Sequence, residues 1–233
     1  MNKYDVIVVG KGNAALCAAL SARDQGATVA MLEAAAEEES GGNSRFAGGV
    51  MRFSYGSVED LRRVTDISDE EAANSDFGTN TREEYLDVLY RLTSYRTDPD
   101  LSELLVNSSL DTMAWLRSKG ARFILNHGRQ SGMVDGKRKY FGNMPIEANG
   151  GGAGLVQYLD AAAKKAGIEV LYETRAASLI YDGERVLGVR VQQKGKAAEF
   201  RGKSVVLACG GFEANPEMRT RYLGPGWELA KVR

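Results

Sequence analysis

The residues best placed to do chemistry stand at the start of the chain. Gly10-Lys11-Gly12-Asn13-Ala14-Ala15 has the G-x-G-x-x-A spacing, and Glu33 follows 18 residues after Ala15. That spacing suits recognition of a pyrophosphate. Gly10 permits a tight turn, Gly12 lets the main chain approach phosphate oxygens, and Ala15 lets a helix pack closely on a strand. The unpaired N–H groups and positive dipole end of that helix would face the phosphates. A carboxylate at Glu33 can accept hydrogen bonds from both ribose hydroxyls of an adenosine. It would repel a 2′-phosphate, which disfavours NADP. The alternative for this segment is a glycine-rich turn that holds no ligand.

Neighbouring elements decide between these readings. Residues 4–9 form a β-branched run that reads as one buried strand. Asn13 to Gln25 reads as a helix of small residues ended by Gly26, and Ala27 to Leu32 as a second buried strand. This is a βαβ unit with a right-handed crossover. Later, Arg175–Tyr181, Val186–Gln192 and Ala197–Phe200 are joined by Asp182-Gly183 and Lys194-Gly195. Such turn signals predict a three-stranded antiparallel meander. Ser204–Ala208 is expected as a separate returning parallel strand that ends in Cys209-Gly210-Gly211.

Between the second strand and the meander the sequence predicts a mainly helical insertion. Residues 34–56 read as a loop, acidic at Glu37-Glu38-Glu39 and then glycine-rich. Helices are expected over 57–73 and 81–97, and from Asp98-Pro99 to Lys119-Gly120. In the last of these Leu101, Leu104, Leu105, Ser108, Met113 and Leu116 are expected to face inward. Residues 121–150 show little periodicity; Gly152–Lys165 reads as a helix and Ile168–Leu171 as a short strand.

FAD and NAD both use such a nucleotide-binding unit, and two features favour FAD. Gly41-Gly42-Asn43-Ser44-Arg45-Phe46-Ala47-Gly48-Gly49 lies soon after the second strand. Its glycines would let the main chain lie against a large flat ligand, while Asn43 and Ser44 offer hydrogen-bonding groups. The meander is the second feature, since a simple NAD domain continues with alternating strands and helices. The expected fold class is therefore α/β. It is a Rossmann-like FAD-binding domain whose parallel sheet carries a three-stranded antiparallel β-meander, with a helical insertion before the meander.

Composition narrows the remaining classes. The 233 residues include 43% hydrophobic ones, too many for a disordered chain, and the net charge of −1 gives no general pull toward nucleic acid or anionic membrane. Two Cys cannot build a disulfide scaffold and suit a reducing compartment. No secretory signal or membrane-spanning run is visible, so a cytoplasmic location without membrane insertion is expected.

Three segments carry a resemblance: GKGNAALCAALSARDQGATVAMLE, GGNSRFAGG and VVLACGGFEANPEM. Together they resemble the flavoprotein family of fumarate reductase and succinate dehydrogenase, which also includes L-aspartate oxidase and ketosteroid dehydrogenases. His127 to Gln130, Val134 to Lys137 and Glu147 to Gly152 look most like FAD-dependent tricarballylate dehydrogenase. The resemblance implies an FAD pyrophosphate held at Gly10, Gly12, Ala14 and Ala15, and the adenosine ribose at Glu33. It places Asn43, Ser44, Gly48 and Gly49 on the pyrophosphate–isoalloxazine side, Ala177 at the adenine edge through its backbone, and Ala208, Gly210 and Gly211 on the returning strand near the cofactor. Covalent members attach flavin through a His where this chain has Asn43, so the FAD is expected to be non-covalent.

The family reaction moves a hydride between flavin N5 and a carbon of a di- or tricarboxylate, tricarballylate to cis-aconitate in the subfamily named. A small carboxylate substrate is thus implied, with an unidentified electron donor or acceptor. Family members are roughly twice this length, as two domains would be. Residues 1–233 are accordingly expected to be the N-terminal part of the FAD-binding domain, without the capping domain and C-terminal FAD-binding segment. The substrate-binding His and Arg residues of the family lie in those later parts, so the isolated chain is expected to be inactive. Two readings compete with this one: a truncated FAD-binding module, and an ordinary NAD-dependent dehydrogenase.

No catalytic residue is assigned. His127 is the only His and lacks an identifiable orienting partner. Arg129 could help clamp a carboxylate, and Arg45 and Arg52 flank the glycine-rich loop; solvent exposure is the plainer expectation for all three. Cys17 reads as a small buried hydrophobe, and Cys209 as a thiol without a redox partner. No Cys/His cluster has metal spacing.

Overall fold

The computed structural model describes residues 4–231; the expectations for the start at Met1–Lys3 and the end at Val232-Arg233 lie outside them. Strand β1 (Tyr4–Val9) leads into helix α1 (Asn13–Asp24) and strand β2 (Val29–Leu32). Then come β3 (Val50–Met51), α2 (Val58–Arg62), α3 (Asp69–Ala73), β4 (Ser75–Asp76), α4 (Arg82–Leu92) and α5 (Pro99–Ser118). Four short strands follow: β5 (Phe123–Leu125), β6 (Ser131–Val134), β7 (Lys137–Tyr140) and β8 (Ile146–Ala148). The remaining elements are α6 (Gly151–Lys165), β9 (Glu169–Leu171), β10 (Thr174–Tyr181), β11 (Val186–Gln193), β12 (Lys196–Leu207) and α7 (Pro216–Leu223). The chain divides into two compact units, Met1–Phe46 with Leu159–Arg233, and Ala47–Tyr158.

The apolar run at residues 4–9 lies inside a six-stranded sheet of order β10-β11-β12-β1-β2-β9 in the first unit. β1 runs parallel to β2 on one side and to β12 on the other. Tyr4, Ile7, Val9, Ala30, Leu32, Val189 and Val191 form one buried cluster. Helix α1 turns Ala15, Leu16, Ala19 and Leu20 inward, and its small residues allow a close approach. The meander forms as expected, but its third strand and the returning strand are one. β12 pairs antiparallel with β11 over Lys196–Arg201 and parallel with β1 over Gly202–Leu207. Continuity wins because the main chain trades one ladder for another without leaving its polar groups unpaired. At the other end of β1, Asp5 pairs with Lys203 at 2.6 Å and accepts from the Thr28 amide and hydroxyl at 2.8 and 2.7 Å. Lys203 and Thr28 hold the Asp5 carboxyl well below the usual carboxylate range.

The second unit departs further from the sequence reading. Residues 57–73 form two five-residue helices because Ser57 and Ser68 each close a capping box, with Asp60 and Glu71 respectively. Helix α4 stops at Leu92; Ser94 and Tyr95 follow at φ 51° and 58°, outside helical space. Residues 121–150 hold strands in two three-stranded sheets, β3-β8-β5 and β4-β7-β6. Asp135-Gly136, both at positive φ, close the β6–β7 hairpin, so an Asp-Gly signal for it was present.

Helix α5 starts at the expected cap, with Asp98 accepting from the Leu101 amide, but it is turned about its axis. Ser102, Val106, Ser109, Met113 and Leu116 are buried, whereas Leu101 and Leu104 are each 64% exposed and Leu105 50%. Hydrogen bonding explains the turn. Ser109 Oγ accepts from the Ser54 amide at 2.9 Å and donates to the Val106 carbonyl at 2.8 Å. Ser102 Oγ donates to the Asp98 carbonyl. Small side chains with satisfied hydroxyls pack inward and leave the leucines outside. Among the described residues no helix is long and apolar enough to cross a membrane, and no group of His, Cys, Asp and Glu could hold a metal ion.

Candidate functional site

A cleft of about 820 Å³ lies within the first unit, inside the usual range for ligand sites. Its floor is the turn from β1 into α1. Gly10 has φ 111°, and a Cβ there would collide with the Ala208 carbonyl oxygen, so only glycine fits. The Gly10 amide donates to the Leu32 carbonyl at 2.8 Å, and the Ala208 amide to the Val9 carbonyl at 2.9 Å. These bonds place the turn between the ends of β2 and β12. Gly12 caps α1 without a side chain, and Ser44 comes close enough that its Oγ accepts from the Asn13 amide at 3.0 Å. Ala14, exposed on the first turn of α1, lines the cleft, whereas Ala15 is fully buried beneath it.

Glu33, at the end of β2, lines the same cleft. Its Oε1 accepts from the Ala35 amide at 2.8 Å, and its own amide donates to the Leu171 carbonyl. A carboxylate retains further acceptor sites beyond one such bond. Ala177 also lines the cleft, at a bulge in β10. Ala176 pairs with Val191 and Ser178 with Arg190, so Ala177 is the extra residue. Ala208, Gly210 and Gly211 form the wall that follows β12, with exposed Cys209 among them. Asn43 lies opposite and donates from Nδ2 to Glu213 Oε2 at 3.2 Å.

The cleft thus gathers Gly10, Gly12, Ala14, Glu33, Asn43, Ser44, Ala177, Ala208, Gly210 and Gly211. It does not gather Gly48 and Gly49, which belong to the second unit. Gly49 has φ 83°, and a Cβ there would stand 2.6 Å from Gly151 Cα, so packing alone requires glycine at that position. Arg129 Nη1 donates to the Gly48 carbonyl at 3.3 Å.

Sequence reasoning passed over three kinds of lining residue. Leu179, Val189 and Leu207 supply apolar walls, and Arg175 a cation. Lys11 stands at an unspecified position of the motif; it is 3% exposed and its Nζ pairs with Asp160 at 2.6 Å. The sequence carries no signal for this, because burial and the distant partner are set by the tertiary structure. The remaining candidates have structural partners. Arg52 donates to the Gly142 carbonyl at 2.9 Å and to Asn80 Oδ1 at 3.4 Å, and Arg45 to the Glu38 carbonyl. His127 is exposed and shares a 3.0 Å hydrogen bond from Nδ1 with the hydroxyl of Tyr140, which burial pushes up to about 12. Cys17 is partly buried against Asn13, and burial pushes its thiol up to about 11.

Residues 5–229 match the family described as FAD binding domain. The chain belongs to that family. FAD is its cofactor. The chain is 30% identical over 220 residues to NADH:fumarate oxidoreductase of Klebsiella pneumoniae, covering 94% of itself and 22% of that protein. It is 30% identical over 226 residues to fumarate reductase (cytochrome) of Shewanella frigidimarina, covering 95% of itself and 35% of that protein. The chain therefore spans about a fifth to a third of the length of these curated relatives. Among solved structures, the open conformation of a flavocytochrome c3 fumarate reductase superposes with a TM-score of 0.69 at 29% identity, over 94% of this chain and 36% of that one.

The residues of the cleft fit FAD. Gly10 and Gly12 leave a cradle that side chains would fill, and beyond the Asn13 amide, which donates to Ser44, the first turn of α1 has no side-chain cap from Gly12 and offers amides to a pyrophosphate. Glu33 adds carboxylate acceptors to the same cleft.

Proposed function

We propose that this chain forms the FAD-binding part of an oxidoreductase that exchanges hydride with a small di- or tricarboxylate. The observation that carries this reading is the convergence of the fingerprint turn, Glu33, the Ala177 bulge and the Ala208–Gly211 wall on one cleft. In this reading the amides of the α1 first turn and Ser44 bind the pyrophosphate. Glu33 orients the ribose, and the main chain at Ala177 meets the adenine edge. Gly48 and Gly49 are proposed to approach the cofactor from the glycine-rich loop. Bound FAD supplies the hydride carrier. Asn43 holds no group able to form a bond to the flavin, which supports a non-covalent cofactor.

Relatives named for fumarate support a carboxylate as substrate, and the stretch from His127 to Gly152 favours tricarballylate among them. Oxidation of tricarballylate to cis-aconitate needs cations to clamp carboxylates and a group to move a proton. Among the described residues the cleft contains no His and a single Arg, Arg175, which supports a cofactor-holding role for this part of the protein. The purified chain should carry flavin absorption bands at about 370 and 450 nm, released into the supernatant by acid. A colourless protein that gains no bands with added FAD refutes the site. Retention of colour in the acid pellet refutes the role of Asn43. The isolated chain is expected to show no turnover of tricarballylate or fumarate with dye donors or acceptors; robust turnover would place the catalytic groups within it.

A further inference from the structure

Lys11 occupies a spacer position of the fingerprint, where backbone geometry makes no demand on the side chain. Yet among the described residues it is the most buried cation of the first unit, at 3% exposure. Its Nζ pairs with Asp160 Oδ1 at 2.6 Å, donates to Ser40 Oγ at 3.4 Å, and lies 5.5 Å from the centre of the Tyr172 ring. Asp160 also pairs with Lys164 at 3.1 Å, and Lys164 with Glu37 at 2.9 Å. One side chain from the turn is therefore tied to α6, to the loop after β2 and to the residue after β9. Two ammonium groups face two carboxylates, so the network carries no net charge.

We infer that Lys11 is a positioning residue for the FAD pyrophosphate, fixing the β1–α1 turn so that its amides stand ready before the cofactor arrives. The inference rests on the cleft being the FAD site. Its physical basis is preorganisation: a turn already ordered loses less freedom on binding. A neutral network adds no long-range attraction for phosphate, which separates this role from that of a charge clamp.

The test is Lys11→Met, which keeps the length of the stem and removes the charge. Titration with FAD, ADP and adenosine reads the result, with thermal unfolding recorded alongside. FAD and ADP are expected to weaken by about tenfold, while adenosine, which has no phosphate, is unchanged. The variant leaves the network with one net negative charge, so the loss of ADP affinity is compared at low salt and at about 1 M salt, where charge repulsion is screened. The loss is expected to persist at high salt, and a loss that vanishes there overturns the inference by showing a charge effect alone. Lys164→Gln, at the exposed end of the network, is expected to weaken ADP two- to threefold by roughly the same route; it keeps the test open if the Lys11 variant does not fold. Equal ADP affinity in the parent chain and both variants overturns the inference. Equal losses for ADP and adenosine also overturn it, because they show a general structural defect. Absence of FAD and ADP binding in the parent chain refutes instead the assignment of the cleft.

Discussion

The two units of this protein solve the same packing problem with different materials. The first is built on runs of Val, Ile, Leu and Ala, with Ile7, Val8, Ala15, Leu16, Ala30 and Met31 fully buried. Its polar groups are met mainly by parallel and antiparallel ladders. The second uses short helices and short strands fastened by side-chain hydrogen bonds. Ser57, Ser68 and Thr81 close capping boxes, Asn80 donates to the Phe53 carbonyl at 2.7 Å, and Ser109 receives the Ser54 amide. The first unit leaves main chain open around a cleft, where a large ligand can be held by amides. In the second, local polar bonds substitute for long ladders. Cofactor binding in this protein is thus expected to be sensitive to backbone clearance, and the stability of the second unit to single hydroxyls.

The largest expected effect breaks the first half of that comparison. Gly10→Ala forces a Cβ into the Ala208 carbonyl at φ 111°, and should cost about 3 kcal/mol or more and abolish FAD retention. A normal urea midpoint with bound flavin would show that the turn can shift. Glu33→Ala leaves the fold in place and removes charged acceptors worth about 1.5–3 kcal/mol. FAD affinity by fluorescence quenching is expected to fall at least about tenfold; unchanged affinity would move the ribose elsewhere.

Ser109→Ala sharpens the other half. It strips the acceptor from the half-buried Ser54 amide and should cost about 1 kcal/mol in urea unfolding. Asp5→Asn is a smaller, pH-dependent case. The Asp5 carboxyl titrates lower in the folded chain than in the unfolded one. Its stabilisation is present above the unfolded value of about 4 and fades as pH falls toward the folded one. The gap in urea midpoint between this variant and the parent should shrink on acidification below about pH 4. Leu104→Ser is the smallest, within about 0.5 kcal/mol, since the side chain is 64% exposed. A loss of several kcal/mol would mean that the leucine face of α5 is covered after all.

Legibility in the sequence followed the same division. The βαβ unit, the meander and the fingerprint were readable because their signals are local: an apolar run of strand length, a glycine pair before a helix, a turn dipeptide. The fusion of the meander with the returning strand was not, because nothing between Phe200 and Ser204 says which neighbour each half will choose. Helix α5 was readable as a helix, from Asp98-Pro99 and its spacing. Its inner face was legible at Met113 and Leu116 but not over its first half, because periodicity cannot distinguish a stripe of leucines from an adjacent stripe containing serines that find partners. The β6–β7 hairpin was missed although Asp135-Gly136 announced it.

Residue type and spacing by themselves determined that this chain would make a dinucleotide turn, that an acid would stand at the end of its second strand, and that FAD would be the ligand. Those properties depend on backbone freedom and on charge, which the amino acids carry wherever they are. Tertiary structure alone decided that Ala177 sits at a bulge, that Ser44 reaches the first amide of α1, and that Lys11 turns to Asp160 across 149 residues of chain. Contacts between segments so distant in sequence exist only once the sheet has brought their ends together.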